Sequence, residues 1–510
     1  MFKSSKITDL PINKLKYFPL LVFIFVNIIS CYKEELVLIP ETKEDLKLES
    51  LIYFNSKPCF FDEETSSLTY SLSEIDLENF SPIINFSPLV KVYYEGNLLE
   101  NSKNLEFKNI EYKKDYSFCF VTNTDSVEIK LRFTALPIVR ISKTLNIFDD
   151  PKIPAFIHIS YPEVSKPDYL GYVGIEYRGA SSQIYPKKSF GFNSLANKDI
   201  KTYKNTKLVG ERENYKWILD AAYIDDLRLR NSVSFSIWSK ISDSKNHFSI
   251  NTMPVELFIN NKHQGLYCLN ENFSDEILGL KTNSEVLYKA KDWHDGATRF
   301  EYANEKVPKT DYWDGWEQKY PNPKSLINWE ELKKLRNFIV NSKDKNFIDS
   351  IDYYIDIDNF IDYYLFLNLC SAFDNTGKNI FLMKSRETKK FIILPWDLDA
   401  SWGLFWDRSY IEPTGILSNN LYDRLFELNP NNFKAKVKTR WFDLAQNVFS
   451  EEEILDEFEK SINPIIKSGI IDKENLIWSL NIDTEAEYEY LKNWLRARIN
   501  YLDTYFSSLN

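Results

Sequence analysis

Apolar residues along this chain recur with two different periods, and the change from one to the other divides it. Over residues 50–138, runs rich in Ile, Val, Tyr and Phe, such as LVKVYYEG and VEIKLRFTA, are separated by polar turns at the spacing of a small all-β sandwich. Composition shifts near 136–147, and IPAFIHISYP opens a second group of strands. YVGIEYRGASSQIYPKKSFGFNS reads as strand, polar turn, strand, and MPVELFINNKHQGLYCLNENF as a hairpin turning at Asn260, Asn261 and Lys262. Between them, DDLRLRNSVSFSIWSKI takes the helical period after an Asp start, predicting a helix over 226–241. Beyond Lys324 the helical period dominates: WEELKKLRNFIV and IDNFIDYYLFLNLCSAF are helices, and everything from Leu421 onward follows suit. The exception is a stretch over 373–403, where NIFLMK and KFIILPWD form two short strands joined by SRETKK. The pattern predicts an α+β protein with a β-rich part over about 139–290 and a helical part over about 325–510.

The amino terminus breaks this pattern. Lys3, Lys6, Lys14 and Lys16 precede an apolar run over 18–29 and then Ser30 and Cys31, the charged, apolar and small-residue sections of an export leader. The run is short for a membrane span. Ile28-Ile29-Ser30-Cys31 resembles a bacterial lipobox, in which Cys31 becomes the lipidated first residue; an uncleaved anchor with an incidental cysteine is the alternative. Both place the protein outside the cytoplasm, and the lipobox reading places it in the cell envelope as a lipid-anchored protein behind a polar tether over 32–49. An acidic tract after the cysteine adds the expectation of surface exposure.

Composition narrows the chemistry. With 510 residues, 44% of them hydrophobic, the chain can bury two cores. A net charge of -11 with scattered Lys and Arg argues against general nucleic-acid binding. Only 14 glycines, and neither GxxxxGK nor GxGxxG, mean that any phosphate must be held by another device. Four histidines and no CxxC or HExxH spacing argue against zinc. Cys59 and Cys119 fall in the same predicted sandwich, so a disulfide between them is one alternative in an exported chain, whereas Cys268 and Cys370 sit in apolar segments and read as buried.

The stretch FDNTGKNIFLMKSRETKKFIILPWDLDASWG carries the candidate chemistry. A hairpin between its two strands returns Asp397 towards Asn379, and a carboxamide oxygen beside a carboxylate is a hard-oxygen pair suited to Mg²⁺, which takes few protein ligands plus substrate phosphates. Asp374 stays free to accept a proton from a hydroxyl. An Asp, an Asn five residues on, a strand hairpin and a further Asp form the layout of kinase phosphoryl transfer. The competing reading makes Asp374 and Asn379 turn residues, and Asp397 and Asp399 solvated strand ends.

YRGASSQIYPKKSF, DDLRLRN, VELFINNKHQGLYCLNENF, LYKAKDW, DNTGKN and PWDLDASWG, in this order, resemble the spore-coat protein H (CotH) kinase family, and the likeness runs from about residue 141 to the carboxyl terminus. It implies an atypical protein-kinase-like two-lobe fold over 139–510, behind the sandwich, with ATP and Mg²⁺ as cofactors. The residue matching Asp374 is then the catalytic base, and those matching Asn379 and Asp397 are Mg²⁺ ligands, with Asp399 as either a further ligand or a loop-shaping residue. A lysine after the RGASSQ turn holds the ATP phosphates. Lys187 is the first choice and Lys188 the second, since strand alternation turns only one of them to the cleft. Arg178, Ser181 and Ser182 would assist through the turn, although Arg178 serves equally well in a structural salt bridge. The predicted helix over 226–241 lacks a glutamate to pair with that lysine, which leaves Glu256 or Glu271. Arg230 and Asn231 in that helix fit a scaffold role.

The resemblance therefore implies an exported phosphotransferase that moves phosphate from MgATP to the hydroxyl of an unknown protein acceptor, Ser or Thr. A surface adhesion protein reusing the fold without catalysis is the alternative, and a nucleotidyl or ligase-type transfer would use the same groups.

Overall fold

The computed structural model describes residues 52–123, 125–179, 181–241 and 247–509, and for Ser181 the backbone alone. The leader, Cys31 and the tether fall outside these residues. Strand and helix are both abundant, so the α+β class holds. Ahead of residue 135 there are two sheets. In the four-stranded one Ile52–Phe54 lies between Lys57–Pro58 and Ile83–Phe86; in the six-stranded one Ser126–Thr134 runs parallel to Ser67–Ser71 and antiparallel to Asp115–Val121. Rings from both meet, as where Phe54 stands edge-on to Tyr70 at 5.2 Å. Cys59 and Cys119 are free thiols, so the disulfide alternative is not realised. Alternation explains this: Tyr116, Phe118 and Phe120 point into the core from Asp115–Val121, which turns Cys119 to the opposite face, whereas Cys59 is fully buried. Cys268 and Cys370 are buried, and loss of water pushes the Cys370 thiol up to about 12.

Seven strands then close into a barrel. Ile138–Ser142, Ile153–Ser160, Tyr169–Arg178, Ser189–Leu195 and Lys216–Asp220 follow one another, then Lys262–Glu271 and Thr252–Ile259, and the last closes parallel onto the first. Val139, Ile157, Val173, Phe192, Trp217, Leu257 and Leu269 fill its interior. The helix expected over 226–241 begins later, at Arg230, because the Asp225 carboxylate accepts from the amides of Leu227 (3.0 Å) and Arg230 (2.8 Å) and holds the segment between them in a turn.

Five antiparallel strands make the remaining sheet, in the order Tyr312–Trp313, Trp316–Tyr320, Val286–Ala290, Ile380–Lys384, Ile392–Pro395. Its central strand comes from the end of the β-rich part of the sequence, and its last two are the hairpin embedded in the helical part. The helix Ile357–Cys370, apolar on nearly every side, is buried beneath it; Asn359 Oδ1 accepts from the Ile393 amide at 2.8 Å and fixes helix to strand. The helices Asn420–Leu428, Phe433–Ala445, Glu451–Ser468, Ile470–Trp478 and Thr484–Ser507 complete the carboxyl-terminal region.

Candidate active site

The hairpin gathers its polar groups at one end. The helix Ile357–Cys370 stops at Ser371, in the left-handed conformation (φ 52°), and a single tight turn, Phe373–Thr376, carries Asp374. Strand register pairs Ile380 with Pro395, which places Asn379 and Asp397 at the mouth, just beyond the ends of the two facing strands. Both have positive φ, 56° and 57°, a conformation in which Asn and Asp are enriched. Buried Asn375 clips the mouth shut: its amide donates to the carbonyls of Asn379 (2.9 Å) and Trp396 (2.8 Å), while its own carbonyl accepts from the Tyr363 hydroxyl (2.7 Å). The Asp374 carboxylate lies 3.1 Å from the Lys378 ammonium, and its side chain is 15% exposed.

The barrel approaches this mouth through the helix Arg230–Lys240. Asn231 accepts from the Leu398 amide (2.9 Å) and donates to Asp220 (3.1 Å), the last residue of a barrel strand. Asp220, Asp397 and Asp399 therefore crowd one region. Poor solvation, then the charges of Asp397, Asp220 and Asp225, push the Asp399 carboxyl well above the usual carboxylate range. Arg230 is fully buried between Asp225 and Glu487, which is the scaffold role, whereas Asn231 reaches the loop.

The expected phosphate cations diverge. Lys187 lies at the end of the barrel that carries Arg178 and Asp220, but it is sealed: its ammonium bonds the Leu266 carbonyl and the Glu474 carboxylate, and both side chains are fully enclosed. Glu474 also lies 3.2 Å from Arg228 and accepts from the Leu266 amide at 2.9 Å. This approach is open only because residue 265 is glycine, where a Cβ would lie 2.0 Å from the Glu474 carboxylate. Burial brings the Lys187 ammonium down to about 8; Glu474 opposes the shift and Arg228 adds to it. The lysine's partner is thus Glu474 in the helix Ile470–Trp478. Glu256 is taken by His263 at 2.8 Å and Glu271 by Arg212, so neither proposed glutamate serves. Lys188 donates to the carbonyls of Gln183 (2.5 Å) and Tyr185 (2.6 Å), closing the turn that carries Ser181 and Ser182. That turn needs Gly179 (φ +103°), since the Ser182 Oγ occupies the position where a Cβ would stand, 2.0 Å away.

Arg178, at the end of the strand Tyr169–Arg178, lays its guanidinium over the Trp396 ring, 5.9 Å from the centroid, and makes no ion pair among the described residues. Lys289 lies over the same ring at 5.8 Å. Burial lowers the Lys289 ammonium to about 8, with Asp397 opposing and Arg178 adding to the shift. Between barrel and sheet lies a cavity of about 260 Å³, lined by Arg178, Lys216, Phe273, Leu287, Lys319 and Phe381. A larger hollow, about 720 Å³, opens on the amino-terminal six-stranded sheet around Tyr93 and Cys119 and contains none of the groups discussed here.

The site is thus a cationic cleft ending at crowded carboxylates, with a partly buried aspartate, Asp374, beyond. Among the described residues no group of three or more His, Cys, Asp and Glu side chains forms a metal cage. The donors on offer are a carboxamide and carboxylates, and their crowding is the kind a divalent cation relieves. Lys289, Asp220 and Asn375 had no role in the sequence reading. Lys289 stood within LYKAKDW and Asn375 within DNTGKN, and Asp220 ends the apolar run WILD; each was a signal without a partner.

A model of the family "CotH kinase protein" matches residues 175–502. The chain is also 24% identical over 378 residues to the inner spore coat protein H of Bacillus subtilis (strain 168), an alignment covering 71% of this chain and 93% of that protein. The matched region takes in the barrel from the end of its third strand onward, together with Arg178, Lys289 and the hairpin, and the chain belongs to the CotH kinase protein family.

Proposed function

We propose that the protein is a phosphotransferase of kinase-like, two-lobe design that takes MgATP in the cleft and phosphorylates an acceptor hydroxyl, on Ser or Thr of a protein, outside the cytoplasm. The observation that carries this reading is the hairpin mouth: one amide, Asn375, ties the Asn379 and Trp396 carbonyls together, so that the donors Asn379 and Asp397 flank a single opening one turn beyond Asp374. Asn379 and Asp397 would hold Mg²⁺, with Asp399 and Asp220 near enough to feel the same charge. Bound there, the ion would neutralise phosphate charge.

The chain's own groups position the rest. Asp374 accepts the proton of the acceptor hydroxyl as that oxygen bonds to the terminal phosphorus and the bridging P–O bond of ATP breaks, releasing ADP. Lys378, 3.1 Å away, orients the carboxylate until the acceptor arrives. The lipid anchor at Cys31 belongs to the same proposal and supplies the location.

Calorimetric titration of the full chain with ATP, with and without Mg²⁺, tests the first half. Mg²⁺-dependent binding is expected in wild type and not in Asp397→Ala; absence of any such binding in wild type sinks the reading and leaves the adhesion alternative. Transfer of labelled phosphate to itself or an added protein tests the second half: Asp374→Asn is expected to lower the rate by about 10²–10⁴-fold with ATP affinity retained.

A further inference from the structure

The basic side chains around the cleft differ in whether they have anything left to offer a ligand. A cation grips a polyphosphate only if the ligand can reach its N–H donors; pairing with a glutamate does not by itself prevent this, whereas enclosure does. Lys187 is fully enclosed between Glu474 and the Leu266 carbonyl. Lys188 spends its donors on two backbone carbonyls of its own turn.

Arg178 and Lys289 pass. They come from opposite walls, Arg178 from the rim of the barrel and Lys289 from the central strand of the five-stranded sheet. Lys289 lies on the same strand face as Leu287, a cavity-lining residue, and opposite Phe381, another. Its ammonium stands 5.9 Å from the Phe381 ring and 5.8 Å from the Trp396 ring, and Arg178 is 5.9 Å from the latter. Neither cation makes an ion pair among the described residues. An aromatic face fixes a cation's position without consuming its N–H donors, and two like charges over one ring are stable together only at a cost that an anion removes. Trp396 immediately precedes Asp397, so both are held beside the candidate metal donor.

We propose that Arg178 and Lys289, converging over Trp396 from the two walls of the cleft, are the residues that grip the polyphosphate, and that Lys187 and Lys188 are structural. The assignment rests on the phosphotransferase reading above and replaces the expectation drawn from the lysines after the RGASSQ turn. The ligand it defines is a chain of at least two adjacent phosphates, one for each wall. Lys187 locks the barrel to the helix Ile470–Trp478, and Lys188 closes its turn.

The test measures affinities of the full chain for ATP, adenosine and inorganic tripolyphosphate, with melting temperatures as a folding control. Arg178→Gln and Lys289→Gln are each expected to weaken ATP and tripolyphosphate by about 10- to 100-fold, the usual worth of a hydrogen bond to a charged group, with adenosine unchanged. Lys289→Arg should retain most of the affinity, and Lys188→Gln should stay within about 2-fold of wild type. Wild-type-like ATP binding in both glutamine variants, or a loss in Lys188→Gln as large as theirs, overturns the assignment. Tripolyphosphate binding that needs Arg178 and Lys289, without ATP binding, upholds the grip and overturns the nucleotide. Failure of wild type to bind either overturns both.

Discussion

Two sets of basic residues around the cleft are treated in opposite ways. Most of those on the barrel are neutralised within the fold, Lys187 by Glu474, Lys152 by Glu176 and Arg212 by Glu271, whereas Arg178 at its rim makes no ion pair among the described residues. On the sheet side, Lys289, Asp397 and Asp399 stand near one another without closed pairs among the described residues, and burial and crowding raise the Asp399 carboxyl well above the usual carboxylate range. A closed buried pair ties elements together and has nothing to give a ligand. Open charges held by aromatic rings and backbone carry an electrostatic cost in the empty protein, and perturbed groups of that kind cluster where ligands bind. Of the family motif in the barrel, Lys187 and Lys188 are thus architecture, whereas Arg178 is left open and meets Lys289 from across the cleft.

Breaking a closed pair should have the largest effect. Glu474→Ala leaves Lys187 and Arg228 buried with no carboxylate between them, and a loss of about 3–5 kcal/mol is expected, read as a large fall in denaturant midpoint. A loss below about 1 kcal/mol would mean that water reaches this site and that the pair is not closed. Asn375→Ala removes two donors that clip the hairpin mouth and strands two buried carbonyls, a cost of about 1–3 kcal/mol. The informative result is the split: Mg²⁺-dependent ATP affinity should fall further than in a surface variant of equal stability, because Asn379 and Asp397 are no longer held together.

The smallest effect is on pH dependence, and it isolates Lys187. The unfolded lysine keeps its proton to about 10.5, whereas the folded one releases it near 8. Between these values the unfolded state binds more protons, so stability contributed by this residue rises with pH, by at most about 1.4 kcal/mol per pH unit. Lys187→Met should lack this rise between pH 8 and 9.5, seen as the difference between two urea-melt series. Parallel curves for the two proteins would show that the lysine titrates normally and that water reaches it.

How much of this was legible from the residues depends on the distance over which each partner had to be found. The hairpin over 380–395 was readable because both strands and their turn are contiguous, and alternation then decided which way Cys119 points. The start of the helix at Arg230 was misplaced because Asp225 caps from farther back than an Asp at 226 would, and its side chain competes for amides the helix would use. Glu474 was out of reach: it stands 287 residues from Lys187, in a helix whose apolar pattern says only that it packs. Lys289 sat inside a quoted motif, yet only the pairing of its strand with Ile380–Lys384 reveals that it shares a face with Phe381.

The central strand of the five-stranded sheet also has a bearing on how the molecule is made. The barrel has all seven of its strands once residue 271 has emerged, whereas Val286–Ala290 must wait for Ile380–Lys384, and Lys187 must wait for Glu474. A chain emerging from its amino terminus therefore assembles one wall before the other. Until the last forty or so residues arrive, that first wall carries a lysine with no counter-charge at its back. Docking of the helix Ile470–Trp478 would then be the closing event of assembly, and a prematurely terminated chain would expose the unfinished barrel to proteolysis.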